Sequence, residues 1–236
     1  MKNSAMWVLV TAFVTGCAGD SGGNSPPAGI AAPVAVSPQS FYYFSMFVGI
    51  ADDQIIPNYT ELANRADLMA ADDGAIARYC SAVSGDADGT PLAEARTAWR
   101  DTMTAMQQAE LHRFGPIDEN NSALHERLLV PVNSSFSSCG VDQSVLLGQQ
   151  SDFDLNSRLS NQKGLTAIEY LLFSENLDHS CPAQIPETTD WNERGLKERQ
   201  SLRCAHALRL ARDVSEAADA VLEGWLPAGA NYSATF

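Results

Sequence analysis

The chain has 236 residues, of which 45% are hydrophobic, so the length and composition favour a globular body with a buried core over a disordered segment. The formal net charge is −14, and a chain this acidic lacks the clustered lysine and arginine that a nucleic-acid partner requires. The acidity fits both a solvated surface that keeps the protein soluble and the binding of cations.

The N-terminus predicts export and lipidation. Lys2 precedes an apolar run, Ala5–Val14, which is too short to span a bilayer as a helix. The small residues Val14-Thr15-Gly16 before Cys17 then resemble a lipobox, in which the signal peptide is cleaved before a cysteine that carries lipid. The alternative is an ordinary secretory signal with an incidental cysteine.

We therefore expect residues 1–16 to be a lipoprotein signal peptide and residues 17–39 to be a flexible tether, because this stretch is rich in glycine, serine, proline and alanine. Residues 40–236 are expected to form the folded domain. Ala18 and Gly19 follow the cysteine without an aspartate, which favours lipid anchoring at the outer membrane, facing the periplasm.

The first half of the domain has helical periodicity. Ser40–Ser84 predicts one or two helices that Pro57 kinks or divides, and a turn-rich break follows at Asp86–Gly89. Thr90–Phe114 predicts a helix that begins with Thr90 as its N-cap and ends before a Gly-Pro pair. Glu110 continues the apolar stripe of this helix, so we expect a buried carboxylate there that must be paired, protonated or metal-bound.

The second half is predicted to begin with loop, mostly from Pro116 to Ser151. Leu165–Phe173 is apolar almost all round, as in a buried helix, and its one charge is Glu169. After a loop, Ser180–Asp190, a long helix is expected over Trp191–Trp225. Its apolar stripe leaves out His206, which we expect to be exposed. The whole predicts an all-α antiparallel helical bundle.

Four cysteines remain once Cys17 is set aside, and an even number in an exported chain predicts two disulfides. Of the three possible pairings we favour Cys181 with Cys204 and Cys80 with Cys139. A four-cysteine metal site is the weaker alternative, because the chain has no CxxC pair.

Common enzyme signatures are missing from the sequence. It contains no HExxH helix, no GxSxG elbow and no phosphate-binding loop, and its four histidines are typical of surface or loop positions. Glu110 and Glu169 lie on different predicted helices, and inward glutamates on facing helices can form a metal site. The alternative is that each glutamate is hydrogen-bonded in the core and has a structural role.

Two segments of the chain resemble the imelysin family. The first runs from Thr97-Ala98-Trp99 through Glu110 to the turn Phe114-Gly115-Pro116-Ile117-Asp118. The second is Gly164–Phe173 (GLTAIEYLLF), which is similar to the family's glycine-x-histidine-x-x-glutamate motif followed by Tyr-Leu-Leu-Phe. Cys181-Pro182, Arg203-Cys204 and the helix to Trp225 are similar in order and spacing.

The resemblance implies an exported helical protein, often a lipoprotein, that handles iron or another divalent cation. It implies a metal site at Glu110 and Glu169, but Thr166 occupies the position of the motif histidine. Threonine is a poor ligand for iron or zinc, so the site would have lost its one nitrogen donor. The resemblance also implies that the chain lacks the second half of the family's domain.

These patterns predict a non-enzymatic envelope lipoprotein whose cation handling is weakened or lost. Its expected partners are a membrane, through the lipid anchor, and a metal ion or an envelope protein. The alternative is a scaffold or binding module that holds a polysaccharide or a protein partner without metal. Peptidase activity comes third, since hydrolysis usually needs a metal held by three protein ligands and a nearby base.

Overall fold

The computed structural model describes residues 42–84 and 89–235, and in this part of the chain the regular structure is entirely helical. The signal peptide, the lipobox with Cys17 and the whole tether lie outside the described residues, as does most of the predicted break at 86–89. No helix among the described residues is long and apolar enough to cross a membrane.

The N-terminal helical stretch is divided close to Pro57, as its sequence predicts. Helix α1 (Tyr43–Ile50) continues through a π-helical turn (Ala51–Ile55) into α2 (Ile56–Ala70). Pro57 lies in the first turn of α2, where a backbone N–H is not needed for the hydrogen bonds of the helix. A tight turn then leads into α3 (Ala75–Ser84).

Helix α4 (Thr90–Ala109) begins at the predicted residue, although Gly89 is its N-cap and Thr90 its first helical residue. The helix ends five residues earlier than expected, because the chain tightens into a 3-10 turn at Glu110–His112. A second 3-10 turn at Gly115–Ile117 buries Pro116 and Ile117 in the core.

The expectation that residues 116–151 are mostly loop is wrong. They form α5 (Glu119–Leu128) and α6 (Ser138–Leu147). Helix α6 is capped by Ser137, whose Oγ accepts a hydrogen bond from the Gly140 N–H at 3.1 Å. These helices are short, so they depend on packing against other helices more than on their own periodicity.

Helix α7 (Gly164–Phe173) and the 30-residue helix α8 (Leu196–Trp225) were expected within a few residues of where they lie. Helix α8 begins later than predicted, since Trp191–Glu193 forms a separate 3-10 turn. It packs against α2, α3, α5, α6 and α7, so it is buried on several sides. His206 is therefore in the core and 1% exposed, and the expectation that it is exposed is wrong.

Both disulfides are present, but the favoured pairing is wrong. Cys80 on α3 pairs with Cys204 on α8, and Cys139 on α6 pairs with Cys181 in the loop after α7. The pairing follows from helix packing, because α3 lies against α8 and brings the Cα atoms of Cys80 and Cys204 to 5.4 Å. With all four thiols in disulfides, the four-cysteine metal site is also ruled out.

Candidate functional site

The two family-like segments are in direct contact. The indole Nε1–H of Trp99 on α4 donates to the carbonyl of Leu165 on α7 at 2.8 Å. The Trp99 ring also meets Phe173 edge-on, with 5.1 Å between ring centroids. One tryptophan thus fixes α7 against α4, so the first segment positions the second.

Glycine is required at the start of the second segment. Gly164 has a φ of 73°, in the left-handed region that favours glycine, and a Cβ there would lie 2.7 Å from the carbonyl oxygen of Leu128. The chain therefore passes directly over the C-terminal end of α5, the helix that carries His125.

A carboxylate–imidazole pair lies beyond the C-terminal end of α4. Glu110 follows Ala109 directly, and its Oε1 lies 2.6 Å from Nε2 of His125 on α5. The His125 side chain is 1% exposed and that of Glu110 is 27% exposed. Glu110 is therefore half-buried and paired, one of the outcomes that its place on the apolar stripe predicted.

The charge state of Glu110 decides which atom donates in this hydrogen bond. The hydrogen bond from His125, with the charges of His125 and Arg113, lowers the pKa of Glu110 although burial opposes this. Glu110 is thus an ionised acceptor at neutral pH, and Nε2–H of His125 must be the donor. In neutral histidine this leaves the lone pair on Nδ1, a buried atom with no hydrogen-bond partner among the described residues.

Tyr59 and His112 lie near Glu110. The hydroxyl of Tyr59 donates to the backbone carbonyl of His112 at 2.8 Å, and the side chains of Asn58 and His112 are hydrogen-bonded at 2.9 Å. Burial raises the pKa of Tyr59 well above its usual range, and the negative charges of Glu110 and Asp118 add to this. Tyr59 is therefore a neutral hydrogen-bond donor at the α2 side of the site.

The backbone in the first turn of α5 is strained. Asn120, Asn121 and Ser122 have φ values of 52°, 59° and 61°, so three consecutive non-glycine residues adopt the left-handed conformation. Each such residue costs on the order of 1 kcal/mol. The Ser122 hydroxyl, hydrogen-bonded to the Asp118 carboxylate, holds this turn, which precedes His125 by one helical turn.

Glu169 and Thr166 lie differently from the expectation. Glu169 is exposed on α7 and Thr166 is half-buried, so the expectation that both glutamates are buried is wrong for Glu169. The buried side of α7 is formed by its aliphatic residues, such as Leu165 and Ile168. That Glu110 and Glu169 bind a cation together stays a prediction.

A buried ion pair lies near the second disulfide, and sequence reasoning missed it. Arg203 on α8 donates to Asp142 on α6 at 3.0 Å, and the two side chains are 2% and 1% exposed. Tyr170 on α7 accepts from Arg203 at 2.8 Å and donates to Asp142. The signal in the sequence was the lone aspartate among the apolar residues of α6. The network joins three helices, so we assign it a structural role.

The expectation that the four histidines lie at the surface or in loops is wrong for two of them. His125 and His206 are buried, whereas His112 and His179 are half-buried and hydrogen-bonded. Among the described residues, no group of three or more His, Cys, Asp and Glu side chains is close enough to hold a metal ion. Glu110 and His125 thus form a pair of donors and not a complete metal cage.

A separate groove of about 500 Å³ runs between α2, α3 and α4. Its lining includes Leu68, Ala75, Ala93 and Ala98, together with charged side chains. Leu68 is 66% exposed within it, and Ala98 belongs to the first family-like segment. The volume lies in the range of small-ligand sites.

Comparison with known proteins gives one match. The sequence model of the imelysin family matches residues 55–236, more than three quarters of the chain. Neither the curated proteins nor the solved structures include a significant match. The matched region contains both family-like segments, both disulfides and every helix from α2 to α8. The chain therefore belongs to the imelysin family.

Proposed function

We propose that this chain is an exported lipoprotein of the bacterial cell envelope whose helical domain handles a divalent cation, iron among the candidates, and does not hydrolyse peptides. Cys17 would carry the lipid, and the domain would face the periplasm from the outer membrane. The two disulfides support export, since disulfides persist in oxidising compartments and are rare in the cytosol.

The observation that carries the cation proposal is the His125 imidazole held by Glu110. A carboxylate that accepts a hydrogen bond from one ring nitrogen orients the ring and makes its other nitrogen a better metal donor. The unpartnered Nδ1 of His125 is such a nitrogen. His125 thus offers the nitrogen donor that the family motif loses at Thr166.

A metal at Nδ1 of His125 would have this one nitrogen donor, because Glu110 is hydrogen-bonded to the opposite ring nitrogen, so we expect weak binding. Glu169 is exposed on α7, one helical turn after Thr166, and would add its carboxylate from the solvent side. An imidazole with a carboxylate suits zinc or iron, whereas carboxylates alone suit calcium. The preference between these ions therefore reports whether His125 takes part.

Calorimetric titration of the full chain with zinc, ferrous iron and calcium tests this proposal. We expect weak zinc or iron binding that His125→Gln removes and Glu110→Gln weakens roughly 10- to 100-fold, as is typical for a residue that orients a metal ligand. Glu169→Gln should abolish the calcium component, and Thr166→His should strengthen zinc and iron binding.

His179→Gln is the matched control, because His179 lies in the loop after α7 and interacts with the backbone there. It should leave every titration unchanged. The proposal fails if His179→Gln weakens binding as much as His125→Gln, or if wild type and Thr166→His bind none of the three ions. Cleavage of a generic protein substrate by the purified chain would contradict the non-enzymatic part.

The groove between α2, α3 and α4 favours a second candidate function, a binding module for an envelope polysaccharide or protein without metal. Ala93 lies exposed in this groove, so Ala93→Trp would fill it without disturbing the core. It should abolish retention on immobilised envelope polysaccharide, whereas Val132→Trp, at a position 86% exposed outside the groove, should not. Equal retention of both variants would exclude the groove.

A further inference from the structure

His206 is a buried histidine whose ring nitrogens make no hydrogen bond to any described residue. Its side chain is 1% exposed, and neither Nδ1 nor Nε2 has a hydrogen-bond partner among the described residues. Buried polar atoms are nearly always hydrogen-bonded, because leaving them unpaired forfeits their hydration. An imidazole with both nitrogens unpaired in the core of a folded domain indicates that something else pairs with it.

Two guanidinium groups act on this imidazole. Burial, followed by the charges of Arg209 and Arg158, lowers the pKa of His206 to about 3, so the ring is neutral at neutral pH. Phe153 contacts two of these groups, since its ring lies 6.1 Å from that of His206 and 5.1 Å from the guanidinium carbon of Arg209. The imidazole and both arginines therefore share one neighbourhood between α6, α8 and the loop before α7.

Neither arginine has a carboxylate partner. Both are half-buried, yet no ion pair links either one to an acidic side chain in the described part of the chain. Arg209 donates to the backbone carbonyl of Gly148 at 2.8 Å and Arg158 to that of Gly140 at 3.5 Å. In a protein with a net charge of −14, two such cations beside a neutral histidine form a local positive region.

Glycines of α6 and its C-cap make room for this arrangement. A Cβ on Gly148 would lie 2.1 Å from Nη1 of Arg209, and a Cβ on Gly140 would lie 2.5 Å from the side-chain amide of Gln162. Nε of Arg158 and Oε1 of Gln162 are also buried without a partner among the described residues. The region therefore contains unpaired polar atoms of both kinds, hydrogen-bond donors on Arg158 and His206 and acceptors on His206 and Gln162, beside two arginines without an acidic partner among the described residues.

We propose that Arg158, Arg209 and His206 form a binding site for a small oxyanion, a phosphate or a carboxylate. The guanidinium fork matches the oxygens of both groups, and a neutral imidazole adds one N–H donor. Water could form hydrogen bonds with the ring nitrogens of His206, but it would not neutralise the charges of Arg158 and Arg209. A metal cation would be repelled by the same charges.

The test is titration of the full chain with inorganic phosphate and, separately, with acetate, at neutral pH and constant ionic strength set with sodium chloride. Binding is followed by calorimetry and by the ring-nitrogen NMR signals of His206. We expect saturable one-site binding of at least one of the two anions, with a shift of the His206 signals. The stronger of the two identifies the ligand class.

Arg158→Gln and Arg209→Gln should each weaken binding about tenfold or more, because each removes a charged hydrogen-bond donor. Arg212→Gln is the matched control, since Arg212 lies one turn further along α8 in an exposed pair with Asp72. It should change the affinity less than about twofold, as expected for an exposed pair. Circular dichroism checks that each variant folds, and Arg158→Gln decides the outcome if Arg209→Gln does not fold.

Three results would overturn the proposal. The first is that neither anion binds the wild-type chain saturably. The second is that Arg212→Gln weakens binding as much as Arg158→Gln, which would indicate non-specific attraction. The third is that binding leaves the ring nitrogens of His206 unchanged.

Discussion

The disulfide pairing makes a quantitative prediction that depends on the tertiary structure. The Cys80–Cys204 bond links residues 124 apart and the Cys139–Cys181 bond links residues 42 apart. Closing loops of these lengths stabilises a protein by about 5 and about 4 kcal/mol in the chain-entropy model. The shorter loop lies within the longer one, so with it closed the outer bond contributes about 4.5 kcal/mol.

The perturbation is the paired variant Cys80→Ala with Cys204→Ala, compared with Cys139→Ala and Cys181→Ala together. Urea unfolding of each, against wild type, gives the change in the free energy of unfolding. We expect the first pair to be the more destabilising, because it removes the longer loop closure and also the fully buried sulfur of Cys204. The alanine pairs avoid leaving a reactive free thiol.

Peptide mapping under non-reducing conditions decides the pairing directly. Wild type should yield peptides linking Cys80 to Cys204 and Cys139 to Cys181. Peptides linking Cys181 to Cys204, or four free thiols in protein taken from the cell envelope, would refute the reasoning about α3 and α8. Equal loss of stability in both paired variants would refute the loop-closure argument alone.

Four further predictions follow from other parts of the chain. Cys17→Ser should release the protein from membranes or leave it uncleaved; an unmodified mature N-terminus elsewhere than Cys17, found by mass spectrometry, would exclude the lipoprotein. Gly164→Ala should destabilise by roughly 2 kcal/mol or more in urea unfolding, because it combines a left-handed φ with a contact to the Leu128 carbonyl; an unchanged midpoint would show that this turn can relax. Trp99→Phe should cost about 1 kcal/mol, since it removes the buried hydrogen bond from the indole N–H to the Leu165 carbonyl, and no measurable loss would mean that α7 does not depend on this bond. The folded chain binds fewer protons at His206 than the unfolded chain between its ordinary pKa of 6.5 and about 3, so in buffer without oxyanions the free energy of unfolding should fall by up to about 1.4 kcal/mol per pH unit as pH decreases through this window. His206→Gln should remove that part of the pH dependence, and an unchanged profile would show that His206 is not the responsible group.

The sequence by itself determined the helical class, the positions of the long helices and the family. Helical periodicity located α4 and α8. Pro57 marked the division of the N-terminal helical stretch, and Gly115-Pro116 marked the end of the segment that contains α4. These features depend on local chain geometry, which neighbouring residues fix. The family motifs are likewise contiguous segments, so the match to residues 55–236 was visible before the fold was known.

Short helices and side-chain environments were decided by the tertiary structure. Helices α5 and α6 have weak periodicity, and their burial against α8 and its neighbours stabilises them. Glu169 was expected inside because its helix is apolar, yet an apolar helix can still turn one residue to solvent. His206 was expected to be exposed because it lies off the single apolar stripe assigned to α8. The helix is central in the fold and is buried on several sides, so residues off that stripe are buried too.

The disulfide pairing and the Glu110–His125 pair required the packing of distant helices. Cys80 and Cys204 are far apart in sequence, and the contact between α3 and α8 makes them neighbours. Glu110 was identified from its stripe, but its partner could not be, because His125 lies on a helix that the sequence did not predict. Periodicity assigns a face to each helix, whereas the choice of which faces meet is made by the packing of the whole chain.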